Sequence, residues 1–446
     1  MDKRARPAAR KHRYDARKGT QQERLVSAIV ELASSEGYEG ISISQIVAVA
    51  GVSRPTFYEY FHDKSECLRA AVEQIQQHVL AEALDRLGET GPENALSTTL
   101  GTLVEFASSS PAMARVLMSE AMAGGPRVLY VRDQGIGAIA SGVEAAYKDA
   151  SGGSIAPDAS AEMAIGGVYR LLARRLRRGE QPSDELTHQL GYWIDAYSRE
   201  LQRHRWRALA PYPPPEATPS ASPPLLRPVG PARTRSSQAD DQLAEDRQRI
   251  LFAAAEIAQQ SGYAAASASK ISERAGLDHR AFRRAFADRE EVIFALHELF
   301  FQHMMTVSAG AFFAQASWPE RVWQAGVAFT QAAEQDPLLA KVGFVQAHEA
   351  GGSAVKHYED LVSAFKIFLE QGYELVPTET SRLSDESLEA IVWMTLELAY
   401  ARSRASGKPQ LRSLLPHVTF WTLAPFLGTE AADHFIDQKL DQPEPR

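Results

Sequence analysis

The chain repeats itself, and the repeat limits its architecture before any single motif is read. "SEGYEGISISQIVAVAGVSRPTFYEYFHDKSE" (35–66) and "QSGYAAASASKISERAGLDHRAFRRAFADREE" (260–291) align without a gap. Gly37 and Tyr38 fall on Gly262 and Tyr263; Ser42, Ser44 and Ile46 on Ser267, Ser269 and Ile271; Ala50 and Gly51 on Ala275 and Gly276. Phe57 and Phe61 fall on Phe282 and Phe286, and Asp63 and Glu66 on Asp288 and Glu291. Two further stretches match in the same order. "PAMARVLMSEA" from Pro111 resembles "PLLAKVGFVQA" from Pro337. "ARRLRRGEQPSDELTHQLGYWI" from Ala173 resembles "ARSRASGKPQLRSLLPHVTFWT" from Ala401, with Gly179 and Trp193 on Gly407 and Trp421. Three matches in one order predict two whole units joined in one chain of 446 residues, a length that itself suggests more than one domain. Residues 209–242, rich in Pro, Ser and Ala, read as an extended linker, long enough at ~3.1 Å per residue to join domains lying side by side.

The head of each unit has a readable grammar. Leu25, Ala28, Ile29, Leu32 and Ala33 share one helical face, and Gly37 stops that helix. Ser42 caps a short second helix with Ile43, Ile46 and Val47 inward, and Gly51 makes a turn. Ser53 caps a third helix with Pro55 in its first turn. Phe57 and Phe61, four apart, share its inner face, so Arg54, Thr56, Tyr58 and Tyr60 point elsewhere. Asp63 and Glu66 have capping-box spacing and open a fourth helix. Short helices joined by a Gly-containing turn form a helix-turn-helix, whose second helix enters the DNA major groove.

On these residues the span from Glu23 to Leu68 resembles the DNA-binding domain of the tetracycline-repressor (TetR) family; the carriers are "ISISQIVAVAGVS", "PTFYEYF" and Lys64. The resemblance implies that Ser42, Tyr58, Tyr60 and Lys64 grip phosphates of double-stranded DNA, and that Arg54, Pro55 and Thr56, behind the cap Ser53, approach base edges. It also implies an all-α fold of two TetR-like units, each a three-helix head with a helical body for ligand sensing and dimerisation. The expected divisions are a basic arm (1–22), a first head (23–72) and body (73–208), the linker (209–242), a second, divergent head (243–297) and body (298–430), and a tail (431–446).

The second head keeps the inward Phe pair and rewrites the outward set. Asp278 caps, and His279, Arg280, Arg283, Arg284 and Arg289 replace the tyrosines and Lys64, with Ser267 matching Ser42. These arginines suit backbone contacts or guanines. The chain then reads as an intramolecular pseudo-dimer on an asymmetric operator. Two alternatives stay open: a homodimer reading a palindrome with first heads only, and a protein-interaction regulator whose second head no longer binds DNA. The second body is rich in large apolar groups; Trp323, Phe344, Phe365 and Trp393 are expected to line a cavity for a small apolar effector. Repression is the expected mode, with activation not excluded by sequence.

The net charge of −8 argues against nucleic acid, but its distribution overrides the total. Residues 1–18 carry Lys3, Arg4, Arg6, Arg10, Lys11, Arg13, Arg17 and Lys18 against Asp2 and Asp15, an arm that either attracts phosphates or only solubilises. A single cysteine, Cys67, with no signal-peptide pattern and no membrane-length apolar run, reads as cytoplasmic. An enzyme is not expected. "GIGAIA" (135–140) lacks the strand a phosphate loop needs, "SASK" (267–270) is explained as a helix cap, and the histidines form no metal cluster. No cofactor or metal is expected.

Overall fold

The computed structural model describes residues 19–91, 94–150, 160–198, 225–228, 239–346, 352–375, 382–405 and 411–441. The basic arm up to residue 18, most of the linker and residues 442–446 lie outside the described residues. Among the described residues there is no strand, so the fold is all-α.

The first unit runs α1 (Gln21–Glu36), α2 (Ile43–Ala50), α3 (Arg54–Tyr60), α4 (Lys64–Glu89), α5 (Ala95–Ser109), α6 (Pro111–Met118), α7 (Pro126–Ala150), α8 (Ser160–Arg177) and α9 (Asp184–Ser198). The second runs α10 (Ala239–Ser261), α11 (Ala268–Ala275), α12 (His279–Ala285), α13 (Arg289–Phe313), α14 (Trp318–Gln335), α15 (Pro337–Phe344), α16 (Gly352–Ser363), α17 (Ile367–Glu370), α18 (Asp385–Ala405), α19 (Leu415–Leu427) and α20 (Thr429–Asp441). Both heads use the same local devices. Ser42 and Ser267 cap α2 and α11, and Asp63 and Asp288 cap α4 and α13. Gly51 (φ 62°) and Gly276 (φ 67°) end α2 and α11 in the left-handed region, where a side chain is strained.

The halves meet along α8 and α18, with α9 against α18 and α19. A Cβ on Gly167 would sit 2.9 Å from backbone atoms of Ala390 and Met394, so glycine is what lets α8 and α18 come this close. Beside them, the Tyr197 hydroxyl accepts from Trp193 Nε1 (2.8 Å) and donates to the Trp421 carbonyl (2.7 Å). The Tyr197 and Trp421 rings lie 4.1 Å apart. Trp193 and Trp421, matched in the sequence repeat, thus stand in one buried cluster.

Charge also crosses this seam, with a marked polarity. Arg132 of α7 and Arg170 of α8 both bind Glu397 of α18 (2.6 and 2.5 Å), and Arg174 binds Glu389 (2.5 Å). Arg175 reaches Glu386 (3.4 Å), and Arg177 and Arg178 pair with Glu359 and Asp360 of α16. The other way run Arg404 of α18 to Asp133 of α7 and the attraction of Arg402 of α18 for Glu162 of α8. Burial pushes the Glu397 carboxyl up, but Arg132 and Arg170 outweigh it and hold the group below its usual range.

Two expected boundaries change. Residues 431–441, read as tail, belong to α20: Ala432 and Ile436 are buried, Phe435 packs on Trp323, and Lys439 pairs with Glu320. Their apolar spacing of three and four is that of a packed helix face. Of the linker span, residues 239–242 already belong to α10, and residues 225–228 dock on the second unit. Leu226 is buried, its N–H donates to Asp336 Oδ2 (3.0 Å), and Gln248 Nε2 donates to the Leu225 carbonyl (2.6 Å).

Candidate nucleic-acid interface

The first head is fixed from inside. Phe57 and Phe61 are buried, their ring centroids 5.8 Å apart, and each contributes about 1.5–3 kcal/mol of burial. Ser53 Oγ accepts from Thr56 N–H (3.2 Å) and meets Thr56 Oγ1 (2.8 Å). Pro55 falls in the first turn, where no N–H is needed. With the inner face so committed, Tyr58 stays 47% exposed and Tyr60 40%, unusual for rings this large. Arg54 lies near the Tyr58 ring, 6.0 Å from its centroid, and the Tyr60 hydroxyl donates to Gln21 Oε1 (3.4 Å). The exposed face of α3 therefore offers a guanidinium, hydroxyls and two aromatic rims, a set suited to phosphates and base edges.

Lys64 and Ser42 are placed differently from Tyr58. The Lys64 ammonium donates to the carbonyls of Tyr38 (2.8 Å) and Ile41 (2.9 Å) and lies 4.3 Å from the Tyr38 ring centroid. Its charge is spent holding the loop between α1 and α2. Ser42 Oγ is used in its capping box with Gln45 (2.8 Å to Oε1). Sequence reasoning missed Arg24. Its Nε donates to the Ala50 carbonyl (2.8 Å) and its Nη2 to the Gly51 carbonyl (2.6 Å), strapping α1 to the turn before α3. A signal was present, since Arg249 stands at the aligned position of α10. It also missed Glu120, which ties head to body by accepting from Tyr38 N–H (2.8 Å).

In the second head Phe282 and Phe286 are buried as their counterparts are, and Asp278 Oδ1 caps α12 through Ala281 N–H (2.7 Å). Its outward cations are not equally available. Arg283 donates to the Ala287 carbonyl (2.5 Å) and Arg284 pairs with buried Asp246 (3.7 Å). Arg289 is half-buried, and with Lys64 it opposes the burial that raises the Glu39 carboxyl, which places it near the first head. His279 and Arg280 remain exposed, and Ser267 is used as the cap of α11.

The second body holds a half-open apolar cavity of about 140 Å³, lined by Val322, Phe329, Phe365, Phe368, Ile391 and Leu415 among others. Of the four residues expected there, Phe365 lines it and three do not. Trp323 packs on Phe435, Phe344 fills the space between Phe300 and Phe329, and Trp393 donates its Nε1–H to Glu389 (3.0 Å) at the seam. Trp323 and Trp393 are held by partners outside the cavity lining, and Phe344 packs against the wall residue Phe329 without lining the space itself.

Residues 25–71 match the family described as bacterial regulatory proteins, tetR family. The first head is a TetR-type helix-turn-helix. The chain is 29% identical over 105 residues to the nucleoid occlusion factor SlmA of Glaesserella parasuis serovar 5 (strain SH0165), which is 24% of this chain and 52% of that protein. It is 37% identical over 65 residues to the uncharacterized HTH-type transcriptional regulator YvdT of Bacillus subtilis (strain 168), 15% of this chain and 34% of that protein. The chain thus spans about half the length of the SlmA proteins it matches. Among solved structures, the fatty acid degradation regulator FadR from Bacillus halodurans aligns over 42% of this chain and 100% of its own, at 16% identity and a TM-score of 0.33, which carries no argument. Among the described residues no helix is long and apolar enough to cross a membrane.

Proposed function

We propose that this chain is a DNA-binding transcriptional regulator of TetR type, acting as a repressor. The observation that carries the reading is α3: a helix with its Phe pair buried and Arg54, Thr56, Tyr58 and Tyr60 turned out, within the residues that match the family. Tyr58 and Tyr60 hold phosphates, Arg54 and Thr56 read bases, and Lys64 positions the loop behind them. The reading assigns the chain no reaction.

In this proposal one chain supplies both heads, and the operator has two unequal half-sites. The polarity of the seam supports it. α8 offers Arg170, Arg174 and Arg175, while α18 offers Glu386, Glu389 and Glu397. Pairing two first halves through α8 would set Arg170, Arg174 and Arg175 against their own copies without Glu386, Glu389 and Glu397, and would strip buried Arg170 of its carboxylate, a severe cost. The apolar cavity supports an effector the size of a single ring, since a void near 150 Å³ accommodates benzene. For release of DNA, that effector must prefer the arrangement of heads that does not bind.

Selection of bound sequences from a random DNA pool, with the mass of the complex, tests the reading. An asymmetric site covered by one chain is expected. A palindrome bound by two chains through their first heads would overturn the pseudo-dimer, and no enrichment at all would overturn DNA binding.

A further inference from the structure

A second cavity, of about 240 Å³, lies where the first head, the first body and the second half meet. It is separate from the apolar cavity and opposite in character. Five cations line it: Arg115, Arg170, Arg177, Arg178 and Lys356. Three carboxylates share the lining: Glu36, Glu120 and Glu359. Most of these charges are already committed. Arg115 Nε meets Glu120 (3.2 Å), Arg177 Nη1 donates to Ser119 Oγ (2.6 Å), and its Nη2 pairs with Glu359. Arg170 and Arg178 are answered from outside the lining by Glu397 and Asp360, and Glu36 accepts from Gln45 (2.9 Å). Lys356 is exposed, with no carboxylate partner among the described residues.

The pairing leaves buried polar atoms unmatched. Arg170 is 5% exposed, yet its Nη2 has no hydrogen-bond partner, and neither has Nε of Arg177. Glu359 is 1% exposed, and its Oε2 is unpartnered as well. An orphaned polar group in such a place costs about 1–3 kcal/mol, more when charged. Burial lowers Arg177 to about 9, and the nearby Arg170, Arg115 and Arg174 add to the fall while Glu120 opposes it. Two unmatched donors and one unmatched acceptor describe a guest that accepts from guanidinium groups and donates one O–H to a carboxylate.

We infer that this cavity binds a small oxyanion that retains a hydroxyl, a protonated phosphate or a hydroxycarboxylate. Arginine forks suit both, and the Glu359 carboxylate selects against a fully ionised anion such as sulfate, whose oxygens can only accept. The site needs both halves: Lys356 and Glu359 come from α16, the other cations from α6, α8 and the residue after α8. It also adjoins the head, since Glu120, which holds Tyr38 N–H, is the partner of Arg115. An anion that draws Arg115 away alters that joint. This consequence for DNA rests on the function proposed above; the binding does not.

The test uses the full chain without DNA, titrated calorimetrically at constant ionic strength with inorganic phosphate, with lactate and with sulfate. Saturable binding of phosphate or lactate is expected, with sulfate at least about tenfold weaker. Lys356→Ala and Arg115→Gln, on the rim and so compatible with folding, should each weaken that binding by about tenfold. Circular dichroism confirms that the variants remain folded. The inference is overturned if neither phosphate nor lactate saturates, if sulfate binds as tightly as they do, or if both folded variants bind like the parent chain. Operator affinity with and without phosphate then reads the coupling separately, so its absence would count against the head–body link and leave the binding result standing.

Discussion

The two heads share an interior and differ in what they show to solvent. Phe57 and Phe61 correspond to Phe282 and Phe286, and Gly51 to Gly276, with the same burial and the same left-handed turn. Outside, Tyr58 and Tyr60 of α3 give way to Arg283 and Ala285 of α12, and Ala285 is buried. Arg283 and Arg284 each hold a partner in their own head while staying exposed, alongside exposed His279 and Arg280. The lesson is that packing governs one face of such a helix and the partner governs the other. A head can therefore keep its fold while its outer face takes up another duty.

The largest effect should come from the shared interior. Phe57→Ala and Phe282→Ala should each cost about 3–5 kcal/mol of stability in denaturant titration. Operator binding should be lost in the first and only weakened in the second. Equal losses would mean that the heads contribute equally to DNA and would break the contrast.

Acid should separate the halves next. Burial lowers the buried His297 to about 3, with His357 adding to it, and its ring packs between Tyr263 of the second head and Tyr358 of the body. The matching position in the first half is Val72. A histidine whose folded pKa lies below the unfolded value contributes stability that is fully present above about pH 6.5 and is lost as pH falls toward 3. Between pH 6.5 and 4.5 the loss should approach about 2–3 kcal/mol. Tyrosine fluorescence or hydrogen exchange should show the second head loosening first. His297→Val should remove the dependence in that window; an unchanged profile would place the acid sensitivity elsewhere.

Base reading should divide the outer faces. Arg54→Ala should relax preference at one operator position by about 1–3 kcal/mol, measured by competition among single-base operator variants. Arg280→Ala should do so only if the second head also reads sequence, and a uniform loss would assign it to phosphates. The smallest effect belongs to Tyr58→Phe. Losing one phosphate hydrogen bond should weaken all operators alike by about 0.5–1.5 kcal/mol in a mobility-shift titration.

Much of the heads was legible because caps, turns and inward phenylalanines are local in sequence. Ser42, Ser53, Asp63 and Asp278 cap as their spacing predicts, since a cap reaches only three residues. Lys64 shows the limit. Its position suited a phosphate, but only the folded loop reveals three carbonyls within its reach, those of Tyr38, Glu39 and Ile41. The apolar cavity was not legible for Trp323, Phe344 and Trp393, because a cavity is a gap left by several helices and no residue type announces it. The arginine run of α8 was visible as a charge cluster. Its acids lie about two hundred residues further on, at Glu386, Glu389 and Glu397, and nothing local links them.

That separation has a consequence during synthesis. Arg170 and its partner Glu397 are 227 residues apart. At about 5–20 residues per second, α8 leaves the ribosome roughly 10–45 s before α18 exists to cover it. Through that interval a nascent first half displays an apolar helix face crowned with arginines, and other nascent first halves on the same message display the same face. Their like charges keep them apart until each chain makes its own acidic helix. The polarity of the seam thus acts as a safeguard in time as well as a fit in space, favouring the partner that arrives last and on the same chain.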